Sequence, residues 1–242
     1  MKIKVLYFFI LSTISFNIYS QEFRYGIKIG SVFSKQSLVT ESKSNIIGVS
    51  YNRIGGFPYD VNTYTGYNFG ANLELSFKLF PDDYDKRIKS YLGLRSGINY
   101  SAQGVIVEDS NRTSFTNKLD YLQIPILINF RMNNFNFFIG PQIGNILKVK
   151  TEIKASTSNY NLDTASSSNS FRFTENDFGD KETSFVWGFG YKVYKGTSLE
   201  IKSTRGITNI SQVEGEIWKN KSYDITINFN INEILWKIEL IK

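Results

Sequence analysis

Cysteine and histidine are both absent from this 242-residue sequence, and each absence excludes a class of functional sites. Without cysteine the chain forms no disulfide and no thiolate metal site, and without histidine it offers no imidazole ligand. The serine–histidine and cysteine–histidine pairs of nucleophilic enzymes are excluded as well. We therefore expect no catalytic residue, no cofactor and no metal ion.

The sequence also lacks a concentrated charge of one sign. The net charge of +6 is modest, and lysine and arginine are scattered rather than gathered on one periodic face. Nucleic-acid binding usually needs a basic stripe or a recognisable module, so no nucleic-acid partner is expected. The length suffices for one large β domain or two small ones.

The only long apolar run lies at the N-terminus. Lys2 and Lys4 precede "VLYFFILSTISF", after which the chain turns polar at "NIYSQE". This order is typical of a secretory signal peptide, which we place at residues 1–20 with cleavage after Ser20. The alternative is an uncleaved anchor helix, but the run is shorter than the about 20 residues of a spanning helix. The mature protein is predicted to be exported, without a helical span.

Apolar and polar residues alternate strictly along much of the rest of the chain. The segment "YNFGANLELSFKL" places apolar side chains on one parity and polar side chains on the other, as in a strand with two unlike faces. Helical periodicity is absent apart from the signal and the C-terminal tail, so the predicted class is all-β with about eight strands. The candidate strands are Glu22–Gly30, Tyr67–Leu79, Ile88–Tyr100, Tyr121–Phe130, Asn134–Gly144, Ser184–Val193, Ser198–Ser203 and Ser222–Ile231.

The connections between these strands alternate between long and short. The short ones contain "PDDYDKR", "RMNN" and "YKGT". A single up-and-down antiparallel transmembrane barrel, with short periplasmic turns and long outer loops, has this layout, whereas a Greek-key sandwich does not sort its loops this way. The long connections are predicted at Ser34–Thr65, Ser101–Lys118, Lys150–Glu182 and Ile207–Lys221.

The glycines indicate which face lies inside the barrel. They share the polar parity with long charged residues, and on a water-facing surface they would weaken the strands for no gain. In a lumen of about eight strands, which is barely wide enough for side chains, glycine makes room for a charged neighbour. We therefore expect the polar parity inside and the apolar parity against lipid. These glycines are Gly26, Gly30, Gly70, Gly93, Gly97, Gly188 and Gly190.

Four motifs resemble those of the PorT-like outer-membrane β-barrel proteins. "YLQIPILINF" (Tyr121–Phe130) resembles the "YLEIP" strand of that family, and "GPQIG" (Gly140–Gly144) resembles the Gly-Pro strand that follows it. "FVWGFGYKV" (Phe185–Val193) and "RGITNIS" (Arg205–Ser211) resemble its later strand and Gly-Leu-Thr-Asn element. The order and spacing agree from Glu22 to Ile231. The resemblance implies a signal peptide, a barrel of about eight strands and an outer-membrane location.

The C-terminal tail departs from this family, whose chains usually stop near the last strand. The residues after Ile231 read "NEILWKIELIK", with apolar residues at helical spacing and with Trp236 suited to a membrane interface. The tail is either the end of the last strand or a short amphipathic helix. The predicted division is therefore a signal peptide at 1–20, a barrel at 21–231 and a tail at 232–242.

Several inward carboxylates raise the question of catalysis. Glu74, Glu200 and Asp224 share the predicted inward parity with lysines and arginines. Two carboxylates facing one substrate can act in acid–base chemistry, but the favoured interpretation is charge pairs that fill a narrow lumen. Pro125, within a strand, is expected to mark a bulge. The inward cations are Lys28, Lys78, Arg95 and Lys202.

Three functional hypotheses follow. The leading one is a small non-enzymatic outer-membrane barrel that contacts lipid and other envelope or secretion proteins, with no open pore because about eight strands leave no channel. The second, which rests on the resemblance, is a PorT-type component of a protein secretion system. The third is a soluble periplasmic β-barrel that binds an apolar ligand.

Overall fold

The computed structural model describes residues 21–40, 60–79, 89–108, 114–154, 177–212 and 216–239. Eight antiparallel strands form a closed up-and-down barrel, in which each strand pairs with the next and β8 pairs with β1. The predicted fold class is confirmed, whereas the predicted signal peptide lies outside the described residues. The strands are β1 (Gln21–Thr40), β2 (Asp60–Lys78), β3 (Ser90–Glu108), β4 (Ser114–Met132), β5 (Phe135–Lys154), β6 (Lys181–Tyr194), β7 (Thr197–Gly206) and β8 (Glu216–Asn230).

The two ends of the barrel differ in their connections. Two-residue turns join β4 to β5 and β6 to β7, and they contain Asn133 at φ 54° and Gly196 at φ 71°. Such tight hairpins need a positive φ, which these residue types supply. We call this end, which also contains Gln21 and Asn230, the turn end, and the opposite end the loop end.

Most strands extend further toward the loop end than the sequence predicted. The predicted connection Ser101–Lys118 is in fact largely a β3–β4 ladder, paired from Ser101↔Tyr121 to Glu108↔Ser114. The predicted connection Ser34–Thr65 is likewise too long, since β1 continues to Thr40 and β2 begins at Asp60. These predictions were wrong because the apolar side chains, which face outward along most of each strand, face inward near the loop end.

Nearer the turn end, the outward side chains form an apolar belt. Leu94, Ile29 and Val193 remain 62%, 59% and 65% exposed. Aromatic rings mark both borders of the belt, as at a membrane interface: Phe135 packs against Tyr191 with ring centroids 5.1 Å apart near the turn end. A continuous exposed apolar surface of this kind is unfavourable in water, so the belt matches the lipid-facing parity expected from the sequence.

The lumen inside the belt is narrow, as the glycines indicated. A Cβ atom added at Gly188 would lie 2.5 Å from Cζ of the Phe138 ring, and one added at Gly190 would lie 2.9 Å from Cγ of Glu200. These approaches are too close for a side chain, so glycine is what admits the large inward neighbour. The predicted role of the inward glycines is therefore confirmed at these positions.

Near the loop end the lumen is filled by an apolar plug. The rings of Phe178 and Trp218 meet edge to face at 5.4 Å between centroids, and outward neighbours at this level, such as Lys35 and Lys150, are exposed and charged. Apolar side chains thus point inward here and polar ones outward, the reverse of the belt. The plug consists of Val105, Val107, Leu119, Tyr121, Phe178, Ile210 and Trp218.

Pro125 does not mark a bulge, contrary to the prediction. The β4–β5 register is continuous at Pro125↔Gln142, and its shift lies between Asp120 and Tyr121 instead. On the other side, the β3–β4 pairing is interrupted near Pro125 without a change of register, because proline has no N–H to donate to the ladder. The hydroxyl of Ser96 donates a hydrogen bond of 2.7 Å to the Pro125 carbonyl oxygen.

The tail forms a helix, α1 (Ile231–Glu239). Because β8 ends at Asn230, opposite Gly26, the first residues of β1 have no β8 partner along that edge. The Asn232 side chain covers it, accepting a hydrogen bond of 2.8 Å from the Tyr25 N–H and donating one of 3.4 Å to the Phe23 carbonyl. Within the described residues, no helix is long and apolar enough to cross a membrane.

Candidate functional site

The turn end opens into a cavity of about 580 Å³, which we call the vestibule. Residues from all eight strands and from α1 line it, and most of the side chains that reach into it are charged or amide groups. A concave site of this size is the usual place to look for binding or catalysis. Its central charged residues are Glu22, Arg24, Glu74, Arg131, Lys192 and Glu233.

One wall of the vestibule is organised by Arg131. Its guanidinium lies 2.8 Å from a Glu22 carboxylate oxygen and 3.0 Å from Oε1 of Glu74. The Glu74 contact is an ion pair without good hydrogen-bond alignment, whereas Arg131 also donates a hydrogen bond of 2.9 Å to the Ser76 hydroxyl. The guanidinium packs over the Tyr91 ring at 4.5 Å from its centroid, an arrangement that suits a planar cation.

The opposite wall joins the barrel to α1. Arg24 lies 2.7 Å from Glu22 and 2.9 Å from Glu233, and Glu233 also pairs with Lys192 and accepts a hydrogen bond of 3.1 Å from the Gly196 N–H. Burial alone would raise the pKa of Glu233, but Lys192 and Arg24 hold that pKa below its ordinary value. With the Arg131 pairs, these contacts form one continuous ion-pair chain across the mouth.

The floor of the vestibule is a buried bidentate ion pair. Arg95 donates to both carboxylate oxygens of Glu200 at 2.8 and 2.9 Å, and the two residues are only 4% and 2% exposed. Asn136 and Asn228 each donate a hydrogen bond of 3.3 Å to Oε1 of the same carboxylate, and the Arg95 guanidinium packs over the Phe138 ring. A buried ion pair needs such additional hydrogen bonds to offset its desolvation.

A second pair lies deeper in the lumen. Lys202 is 2.8 Å from Asp224, which also accepts a hydrogen bond of 3.0 Å from the Asn68 amide. Lys28 lines a small gap beside Lys202 and Glu200, and no described residue forms a hydrogen bond or ion pair with it. Lys28 is therefore an exception to the predicted pairing of inward charges.

The three carboxylates considered for catalysis are each held by a cation. Glu74 is bound by Arg131, Glu200 by Arg95 and Asp224 by Lys202. An acid–base pair requires two carboxylates that face one substrate, and here each instead faces its own cation. The structure thus favours the charge-filled lumen over the catalytic interpretation. Lys78, the remaining inward cation, is half-buried at the turn end of β2.

Sequence reasoning singled out Glu74 of the ion-pair chain, but it did not single out Arg131, Glu22 or Glu233. Arg131 keeps the inward parity of Gln123 and Asn129 on β4, and Glu22 keeps the inward parity of Arg24 on β1, so alternation could have identified both. Glu233 carried no such signal, because it lies on a helix that follows the last strand.

Between the ion pairs and the plug lies a hydrogen-bonded polar layer. The Asn220 amide donates hydrogen bonds of 2.6 Å to the Tyr121 hydroxyl and 2.7 Å to a Glu182 carboxylate oxygen. Charged, polar and apolar side chains therefore fill successive levels of the lumen above the vestibule. Within the part of the chain that the structure describes, no group of acidic residues is arranged to hold a metal ion.

Three bacterial proteins are among the solved structures whose fold is similar to that of this chain. Neisserial surface protein A is 9% identical, with 85% of this chain and 96% of that chain covered and a TM-score of 0.40. Ail, the attachment invasion locus protein of Yersinia pestis, in complex with the heparin analogue sucrose octasulfate, is 13% identical, with 86% and 99% covered and a TM-score of 0.35. OprG from Pseudomonas aeruginosa is 12% identical, with 87% and 93% covered and a TM-score of 0.32.

A comparison with curated proteins gave no match. A comparison with protein families matches residues 19–212 to the family described as outer membrane protein beta-barrel domain. The match covers most of the chain. The chain belongs to this family, and it is a small β-barrel protein of the outer membrane.

Proposed function

We propose that this outer-membrane barrel acts by binding other envelope proteins, and that it neither catalyses a reaction nor conducts solutes. The observation that supports this is the filled lumen, which contains the Arg95–Glu200 pair at one level and the Trp218-centred plug at another. A barrel of about eight strands has room for little else. The surfaces left for function are its two ends and its lipid-facing wall.

The outer-membrane assignment excludes one of the three hypotheses. A soluble periplasmic barrel with an apolar ligand would need an apolar lumen and a polar exterior. The belt residue Leu94 is 62% exposed, while Arg95 beside it points inward to Glu200. The exterior and the lumen at this level therefore have the opposite character.

The orientation of the barrel follows the general rule for this class, with short turns in the periplasm and long loops outside. We therefore assign the turn end to the periplasm, and the signal peptide at 1–20 stays a prediction. An epitope inserted within Ser156–Ser170, a segment outside the described residues, should be labelled by antibody on intact cells. Labelling only after permeabilisation would invert this orientation.

The vestibule is the surface that we assign to protein contact. Its central charged groups lie on five elements that the ion-pair chain joins, so a partner would meet a preformed polar mouth rather than a mobile one. Charged groups of both signs suit a polar or zwitterionic segment of a partner protein.

Site-specific photo-crosslinking tests this assignment. A photoreactive residue is placed at Lys89 or Asn133, which are exposed at the turn end, and at Ser37, which is exposed toward the loop end, as the matched control. We expect defined protein adducts from the turn-end positions and none from Ser37. Adducts from no position would contradict the interaction role, and a steady conductance of the purified protein in planar bilayers would contradict the filled lumen.

A PorT-type role in protein secretion is the second candidate. Two features support it: the ordered motifs from Tyr121 to Ser211, and a vestibule at the end assigned to the periplasm, where exported proteins arrive. Co-purification in mild detergent separates the two candidates. Stable recovery of secretion components, with loss of secreted proteins when the gene is deleted, would establish the secretion role. Recovery of other envelope proteins with normal secretion would exclude it.

A further inference from the structure

Three cations lie side by side on the outer face of the barrel, toward the loop end. Arg205 on β7 is directly opposite Lys221 on β8, and Lys221 is directly opposite Lys35 on β1. Lys219 lies two residues further along β8 on the same face. Directly opposed side chains have Cβ atoms about 4.5–5.5 Å apart, and like charges there destabilise a sheet. We call these four residues the cation row.

No described carboxylate neutralises the cation row. None of the three residues Arg205, Lys35 and Lys219 forms an ion pair with a residue of the described ranges. The Lys221 ammonium instead packs over the Tyr223 ring, 5.4 Å from its centroid. Within that part of the chain the mutual repulsion is therefore left uncompensated.

Another pair of directly opposed lysines on the same barrel has a carboxylate between its two ammonium groups. Lys118 on β4 is directly opposite Lys150 on β5. Glu152 bridges them, at 2.7 Å from Lys118 and 3.0 Å from Lys150, and these two lysines lower the pKa of Glu152 to about 2. The chain thus supplies its own anion at one site and leaves the other open to an external one.

The cation row lies directly beside the border of the apolar belt. The next outward-facing row of paired residues lies two residues along each strand toward the turn end, and it contains Trp187, Ser203, Tyr223 and Phe33. Trp187 and Tyr223 are 48% and 43% exposed. Tryptophan and tyrosine on the lipid-facing surface lie at headgroup level. The cations lie two residues further out along each strand, and they therefore face the headgroups themselves.

We propose that the cation row binds the phosphate groups of the phosphorylated glycolipid in the outer leaflet of the outer membrane. Arginine suits bidentate phosphate binding, and lysine adds a mobile point charge. A lipid phosphate bound between opposed cations removes their repulsion and fixes the barrel at a defined depth. The choice of the outer-leaflet lipid rests on the orientation given under the proposed function.

The test compares two sets of outer-surface lysines and arginines. The site variant carries Lys35→Gln, Arg205→Gln and Lys221→Gln, and the control carries Lys118→Gln and Lys150→Gln. Diphosphoryl lipid A is titrated into the full-length protein in zwitterionic detergent, with monophosphoryl lipid A and phosphatidylglycerol in parallel. Each surface charge contributes modestly to binding an anionic lipid, so three together should weaken binding about a hundredfold. The control should bind like the unmodified protein.

The outcomes distinguish a failure of the glycolipid site from a failure of the orientation on which it rests. Equal loss in both variants, or equal binding of phosphatidylglycerol and diphosphoryl lipid A, would overturn a specific glycolipid site. Unchanged gel mobility of unheated samples shows that the variants are folded, and a variant that fails this check is replaced by the single substitution Lys221→Gln. If surface labelling places the loop end in the periplasm, the proposal is overturned because the cation row would not face the outer leaflet. A failed titration with the loop end outside overturns the site alone.

Discussion

Two regions of the same barrel wall orient their apolar and polar side chains in opposite directions, and β3 passes through both. Arg95 and Val105 share the inward parity of this strand. Arg95 lies within the belt and forms an ion pair in the lumen, whereas Val105 lies near the loop end and packs into the plug. The exterior changes in the reverse direction, from Leu94 in the belt to Glu108 at the end of the strand.

The comparison shows that the surrounding medium decides what points inward. In lipid, charged groups gain by turning into the lumen and finding partners there. Above the lipid, water solvates the exterior, so apolar side chains gain by turning inward as in a soluble protein. The barrel is therefore closed by buried ion pairs at one level and by a hydrophobic core at another.

The largest loss of stability is expected from breaking the buried pair in the belt region. Arg95→Ala leaves Glu200 buried without its cation, which should cost about 3–5 kcal/mol of unfolding free energy. Urea titration of the protein in lipid vesicles measures the loss. As a control, Arg95→Met combined with Glu200→Leu removes both charges and should recover most of the stability. An equal loss in the double variant would show that the charges themselves stabilise the lumen.

A comparable but smaller loss is expected from a matched pair of leucines in the two regions. Leu119→Ala opens a cavity in the plug, where the side chain is 0% exposed, and should cost about 2–5 kcal/mol. Leu94→Ala removes the same atoms from the belt, where lipid chains fill the space, and should cost clearly less. The same urea titration compares them. Equal losses would mean that the belt packs against protein.

Adjacent residues of β2 test the two faces of a single strand. Gly70→Leu forces bulk into the lumen, where an added Cβ would already lie 2.3 Å from the Ile98 carbonyl oxygen, and overpacking of this kind costs about 1–3 kcal/mol. Ala71→Leu projects into the belt and should be neutral or mildly stabilising. If Ala71→Leu were the more damaging substitution in vesicles, the lipid-facing assignment of the belt would be wrong.

The smallest effect is expected at α1, which lines part of the vestibule. Since the pKa of Glu233 is lowered in the folded protein, its stabilising contacts are complete above its ordinary pKa of 4.5 and are lost as the pH falls through the lowered value. Relative to the intrinsic exchange rate of an unfolded peptide at the same pH, hydrogen exchange of α1 should therefore accelerate in acid while the strands stay protected. Glu233→Gln should produce the same acceleration at neutral pH, and an unchanged exchange rate there would show that these ion pairs do not hold the helix.

Prediction from sequence succeeded in the belt, where apolar residues face outward, and failed near the loop end, where they face inward. The eight strands were predictable because the belt keeps a strict alternation, as from Tyr67 to Lys78. The strand ends were not, since Val105 and Val107 follow the inverted pattern and read as part of a connection. Parity indicated that Arg95 and Glu200 both point inward, but nothing local indicated that they meet, since they are 105 residues apart in the chain.

The covered edge of β1 has a consequence for how the barrel is assembled. The seam between β1 and β8 joins the two ends of the barrel sequence, so it can close only after every other strand is present. Before α1 is in place, the first residues of β1 present free N–H and carbonyl groups, which invite the addition of a strand from another molecule. Asn232 takes up the Tyr25 N–H and the Phe23 carbonyl immediately after β8 ends. The step that completes the barrel thus also protects its seam from joining a neighbouring chain.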